Sequence, residues 1–173
     1  MKIYITGCAK TGTTLVRRLF NAFGLNVCVD EINLNKFVSS KYDVGKRTGD
    51  SILSNVITDT KTKQQIKTII ENDVKIINVV RNKLDVLKSE NGYVASWRYD
   101  SCVRQSNRCK DIITYTVDYD ELIINPNKIQ EELSELLNLP IIHKFSDYPK
   151  FIDHSKEKFT NNNYKLREIG KGY

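Results

Sequence analysis

The sequence has no apolar run approaching the roughly 18 residues that a membrane-crossing helix needs. Its opening residues, MKIYITGCAK, lack the long apolar stretch and small-residue cleavage site of a secretory signal. A membrane association is therefore not expected, and the expected location is the cytoplasm. Histidine is scarce, with only His143 and His154. The four cysteines, Cys8, Cys28, Cys102 and Cys109, form no CxxC pair and no Cys/His group with zinc spacing. No metal site is expected, and the thiols are expected to be reduced and mostly buried. No internal repeat or low-complexity linker interrupts the chain, which predicts one domain over residues 1–173.

What is present is an ordinary globular composition: 40% apolar and 28% charged residues in 173. The formal net charge is +6 and the isoelectric point about 9.1. A basic balance suits nucleic acid, an anionic membrane surface or a small polyanion, or reflects only a Lys-rich solvated surface. Charge alone does not choose among them.

Hydrophobic patterning gives the architecture. Lys2–Thr6 is a β-rich run ending at Gly7, and Thr13–Phe23 has helical spacing of Leu15, Leu19, Ala22 and Phe23, closed by Gly24. Leu25–Val29 predicts a second strand, and residues 39–52 a loop. Asn55–Thr58 is a candidate short strand, and Lys63–Glu71 a helix with Ile66, Ile69 and Ile70 on one face. Val74–Val80 is a β-branched run typical of a strand buried on both faces. Residues 83–108 are mostly polar with helical stretches, and Asp111–Val117 is another strand. Pro126 opens a helix through Leu137 whose buried face carries Ile129, Leu133, Leu136 and Leu137. From Pro140 to Tyr173 the pattern is irregular. Alternating strands and helices predict an α/β fold: a parallel sheet flanked by helices, with ligands at the carboxyl ends of the strands.

The segment Gly7-Cys8-Ala9-Lys10-Thr11-Gly12-Thr13-Thr14 joins the first strand to the first helix. Glycines there permit tight turns, unpaired N–H groups at a helix start attract anions, and Lys10 adds a cation. Gly7 and Gly12 have the spacing of the triphosphate-binding loop GxxxxGK[ST], but Thr13 stands where that loop has its lysine. The loop is suited to phosphate, with its cation placed differently.

Lys10-Thr11-Gly12-Thr13-Thr14 resembles the 5′-phosphosulfate loop of the sulfotransferases that use 3′-phosphoadenosine 5′-phosphosulfate (PAPS), whose core reads Lys-[Ser/Thr]-Gly-Thr-[Thr/Ser]. Val79–Ser89 resembles the same family's 3′-phosphate motif: Arg81, Asn82, Asp85 and Ser89 fit its frame, while Lys83 replaces the usual proline. Tyr115–Leu139 resembles the family's strand, Tyr-Glu-Asp-Leu turn and Pro-initiated helix. Arg167–Gly172 resembles the tail that closes over the 3′-phosphate. The chain is short for that family.

The resemblance implies a P-loop-like sulfotransferase architecture. It implies PAPS binding by Gly7, Ala9, Lys10, Thr11, Gly12, Thr13, Thr14, Arg81, Ser89, Arg167 and Gly170, with residues 140–173 closing on the cofactor. The implied reaction moves sulfonate to a hydroxyl or amine of a small-molecule or carbohydrate acceptor. In-line transfer to sulfur needs a general base and cations near the bridging oxygen. Lys10 is the first cation. Lys61 is similar to a further lysine of the family, although the proline that usually follows is absent. Glu31, at the end of the predicted second strand, is the expected base, with Asp30 second. Trp97 and Tyr99 are candidates to line an acceptor groove. The rival readings are a P-loop kinase of nucleosides or other small molecules, a non-enzymatic anion or nucleic-acid binder, and a sulfotransferase fold that has lost turnover. A nucleic-acid partner is not the expected one.

Overall fold

A four-stranded, all-parallel sheet in the order β2-β1-β3-β4 forms the centre of the molecule. The structure is a computed structural model and describes residues 1–47, 59–89 and 94–152. The strands are β1 (Lys2–Gly7), β2 (Val44–Lys46), β3 (Val74–Val80) and β4 (Ile113–Asp118). Between and after them run helices α1 (Thr13–Leu19), α2 (Leu34–Val38), α3 (Asp59–Glu71), α4 (Lys83–Leu87), α5 (Ser96–Arg108), α6 (Tyr119–Ile124) and α7 (Pro126–Leu137). The expected α/β class, with a parallel sheet flanked by helices, is what the chain adopts.

Side chains alternate across the strands, so each strand supplies both faces of the sheet. Ile3 and Ile5 of β1, Ile77 and Val79 of β3 and Val117 of β4 enter one core with Val16, Leu19 and Phe20, and with Ile129, Leu133 and Leu137 of α7. Tyr4, Val74 and Ile76 enter a second core with Leu34 and Phe37 of α2 and Ile69 of α3. The two cores account for the apolar character of β3, which is covered on both sides.

The first helix ends where expected, continuing as a 3₁₀ turn over Phe20–Phe23 that Gly24 terminates with φ 73°. Helix α7 spans the predicted Pro126–Leu137. Within these helices two apolar assignments change. Ile70 and Leu136 are exposed, because each lies a residue away from the row that meets the sheet. Helix α3 starts at Asp59, earlier than the periodicity suggested. The candidate strand 55–58 lies outside the described residues.

The second strand is the main correction. Leu25–Val29 forms no strand; only Val27 makes an isolated parallel bridge, to Val44. The strand beside β1 is instead Val44–Lys46, inside the segment expected to be a loop. Three residues with a central glycine give no alternating pattern. Gly45 is tolerated there because the Phe37 ring packs where a side chain would project, 2.5 Å from the site of a Cβ.

The start of the segment after α7 is tied down. Gln130, almost fully buried, donates from Nε2 to the His143 carbonyl at 2.6 Å and accepts from the Phe145 N–H at 2.9 Å. The Ile142 and His143 N–H groups both donate to the Ala22 carbonyl, and Phe145 enters the core. Replacing Gln130 by Leu keeps the bulk and leaves two backbone groups unpaired. We expect Gln130→Leu to lower unfolding free energy by about 2–4 kcal/mol. The check is a urea titration, in which the midpoint falls while the slope is unchanged.

Candidate functional site

The loop from Gly7 to Thr14 crosses the carboxyl end of β1, and its shape is set by close contacts on both sides. A Cβ on Gly7 would lie 2.6 Å from the Val79 carbonyl oxygen, and one on Gly12 would overlap the Tyr119 ring. Gly12 has φ 95° and Lys10 φ 69°, so the chain turns through the left-handed region twice in three residues. The Cys8 carbonyl accepts from the Thr11 hydroxyl at 2.8 Å and from the Thr11 N–H at 3.3 Å, which closes the turn. No side chain caps the start of α1.

Arg81 follows β3 and lies against this loop. Its guanidinium is 4.6 Å from the centre of the Tyr119 ring and 3.5 Å from the Lys10 carbonyl oxygen. Only 13% of the side chain is exposed. Its Nε is buried with no hydrogen-bond partner, the Asp120 carboxylate being 4.0 Å away. Asn82 caps α4 by accepting from the Leu84 N–H at 2.9 Å, and Asp85 sits in the first turn of that helix. Lys83, at the position the resemblance gives to proline, pairs with Asp100 of α5 at 2.7 Å. Ser89 lies just beyond α4, its N–H 3.4 Å from the Val86 carbonyl.

On the other side of the loop stands Lys46, a residue the sequence reading missed. It ends β2, and its side chain is only 8% exposed. Its ammonium donates to the Thr14 hydroxyl at 2.9 Å and pairs with Glu31 at 3.0 Å. Burial pushes the Lys46 pKa down, and Glu31 opposes that shift. Glu31 is itself 46% exposed, and the Ile32 N–H bonded to the Lys46 carbonyl holds its segment beside β2. Asp30 is exposed. The pattern that located Glu31 was a strand that does not exist, but β2 brings Glu31 to the loop through Lys46. The one clue to Lys46 in the sequence is its two-residue distance from Val44, an apolar β-branched residue in a polar stretch.

The remaining expected residues are dispersed. Lys61 falls in the first turn of α3. Arg167, Gly170 and His154 lie outside the described residues. His143 stacks on Phe151 with ring centres 5.5 Å apart. Trp97 is 67% exposed. Tyr99 donates to the Arg81 carbonyl at 2.8 Å and lines a cavity of about 210 Å³ between α5 and the sheet, beside Cys8, Arg81 and Cys102. Among the described residues no helix is long and apolar enough to cross a membrane. No family model matches the chain, and no curated protein matches it significantly.

The arrangement is chemically suited to an anion. It combines a glycine-shaped loop, an arginine with a spare donor on one flank and a buried ammonium paired to a carboxylate on the other. The buried ammonium gives a test. Folding must desolvate the Lys46 ammonium, which is what pushes its pKa down. Lys46→Met should therefore be at least as stable as the wild type at pH 7. Because the folded pKa is depressed, the unfolded chain binds more protons between that value and the ordinary 10.5. Wild-type stability should thus rise relative to Lys46→Met as pH climbs through that window. Urea unfolding of both proteins across the alkaline range measures the difference.

Proposed function

We propose that this protein binds PAPS at the Gly7–Thr14 loop and transfers its sulfonate to a hydroxyl or amine acceptor, a small molecule or carbohydrate. The observation that carries the reading is Lys46, a cation held in a desolvated position between the Thr14 hydroxyl of the loop and the Glu31 carboxylate. A protein keeps an ammonium buried at a cost in stability where the charge is used. The second cation, assigned to Lys61 by resemblance, is better supplied by Lys46, with Lys10 of the loop as the first. Thr13 in place of the triphosphate loop's lysine favours this reading over a kinase.

In this reading the loop N–H groups and Thr13 and Thr14 hold the 5′-phosphosulfate. The acceptor oxygen or nitrogen attacks sulfur as the bond from sulfur to the bridging phosphate oxygen breaks. Lys10 and Lys46 offset the charge that grows on that oxygen. Glu31 takes the acceptor proton, and its ion pair with Lys46 orients it. Arg81, with its spare Nε–H, binds the 3′-phosphate together with Ser89; Arg167 and Gly170, which the resemblance adds, lie outside the described residues.

The test is a set of thermal shifts with adenosine 3′,5′-bisphosphate (PAP), ADP and AMP at matched concentration. PAP should stabilise most, since a ligand that binds only the folded state raises the melting point by mass action. Equal shifts from PAP and ADP would overturn the reading. Arg81→Ala should weaken PAP by about 1.5–3 kcal/mol by calorimetry and leave ADP nearly unchanged. An equal loss for both would place Arg81 with the loop instead of the 3′-phosphate.

Turnover should also survive EDTA, since the cations invoked are lysines. Loss on chelation, restored by Mg²⁺, would favour the kinase. Glu31→Gln should keep PAP affinity while turnover falls by about 10²–10⁴-fold, and Asp30→Asn should cost much less.

A further inference from the structure

Two of the four cysteines are neighbours. Cys8 is the second residue of the loop, and Cys102 lies on the inner face of α5. They pack together with Val86 and Val94 in a small cluster of their own. Cys28 and Cys109 sit apart, the first bonded into the segment before Glu31 and the second in the core beneath α3. Both members of the pair line the cavity of about 210 Å³ beside Arg81 and Tyr99, which opens to solvent. Both residues are nearly covered, and the cavity they help to line is the route for a small solute to reach them.

The surroundings of the two thiols differ. Arg98 lies one helical turn before Cys102 on α5, and its cation favours the Cys102 thiolate. Burial pushes the Cys8 thiol up. The thiolate is the reactive form of cysteine, so Cys102 is the nucleophile and Cys8 the resolving thiol poised beside it.

We propose that Cys8 and Cys102 form a reversible disulfide that ties the phosphate loop to α5 and shuts off anion binding. The oxidant is a small hydroperoxide. The Cys102 thiolate attacks one peroxide oxygen and breaks the O–O bond, giving a sulfenic acid and hydroxide. The Cys8 sulfur then attacks the Cys102 sulfur and expels the sulfenic oxygen as water. In sum, two thiols and one hydrogen peroxide become one disulfide and two waters, with sulfur oxidised and peroxide reduced.

The loss of anion binding follows from where Cys8 sits. Forming the bond draws the sulfurs from contact to about 2.05 Å. The Cys8 carbonyl holds both bonds that close the loop turn at Thr11, so moving this residue reshapes the phosphate cradle. That second half of the proposal rests on the anion-site reading above; the disulfide itself does not.

The experiment treats the full chain with hydrogen peroxide and reads intact mass, free thiols and proteolytic peptides. We expect loss of two hydrogens, a fall from four free thiols to two, and a single cross-linked peptide joining Cys8 to Cys102, all reversed by dithiothreitol. Cys102→Ala should give no cross-link, as should Cys8→Ser. Stable single-site oxidation, or a cross-link involving Cys28 or Cys109, would overturn the disulfide.

Thermal shift with PAP and with inorganic pyrophosphate, before and after oxidation, reads the second half. The reduced protein should respond, the oxidised protein should lose most of the response, and Cys102→Ala should respond equally before and after peroxide. A cross-linked protein that keeps its full response would overturn the coupling. A cross-link in a protein that never responds to either ligand would leave the disulfide standing and sink the anion-site reading.

Discussion

Strand β1 hydrogen-bonds to β2 on one side and to β3 on the other, and every candidate group takes its position from those two registers. Ile5 lies opposite Lys46, and Gly7 opposite Val79. Lys46 therefore ends its strand two positions short of the loop's first glycine, and Arg81 emerges two positions past Val79. A parallel sheet brings all three carboxyl ends to one edge, so a cation reaches each flank of the loop without any long-range loop to carry it there. A one-residue slip of β2 would reverse the faces of its side chains and turn Lys46 away from Thr14.

The same geometry explains why the loop tolerates so little change. Its backbone passes between the Val79 carbonyl and the Tyr119 ring, both of which belong to elements on the β3 and β4 side. Tyr119 serves twice, packing against Gly12 and holding the Arg81 guanidinium 4.6 Å from its ring centre. The loop, the arginine and the start of α6 are one packed unit, although 38 residues of sequence separate Arg81 from Tyr119.

Much of this was legible before the structure. Strands β1, β3 and β4 declare themselves by runs rich in β-branched and aromatic residues, and α7 by its proline and apolar period. The loop is legible because glycine spacing at a strand-helix junction is a local signal. What was not legible was everything about β2. Val44–Lys46 is too short to show a period, its glycine reads as a turn, and its stability comes from pairing with β1 and from the Phe37 ring, neither of which is local. The more strand-like Leu25–Val29 was preferred and makes one bridge only. Lys46 went unseen for the same reason, since a lysine in a polar segment reads as solvated. Burial is a property of the fold. Helix α6 was also missed, being six residues nucleated by the Asp118 carboxylate accepting from the Asp120 and Glu121 N–H groups.

The bond between Lys46 and Thr14 has a directional consequence. An ammonium has only hydrogens to offer, so the threonine oxygen must spend a lone pair on it. The hydroxyl hydrogen is then left to point elsewhere, and Thr14 is on the exposed side of α1. The lysine in this way polarises the threonine and makes its hydroxyl a better donor. With one lone pair held by the ammonium, the Thr14 hydroxyl keeps its hydrogen to give. A phosphate or sulfate oxygen arriving over Thr14 can accept it.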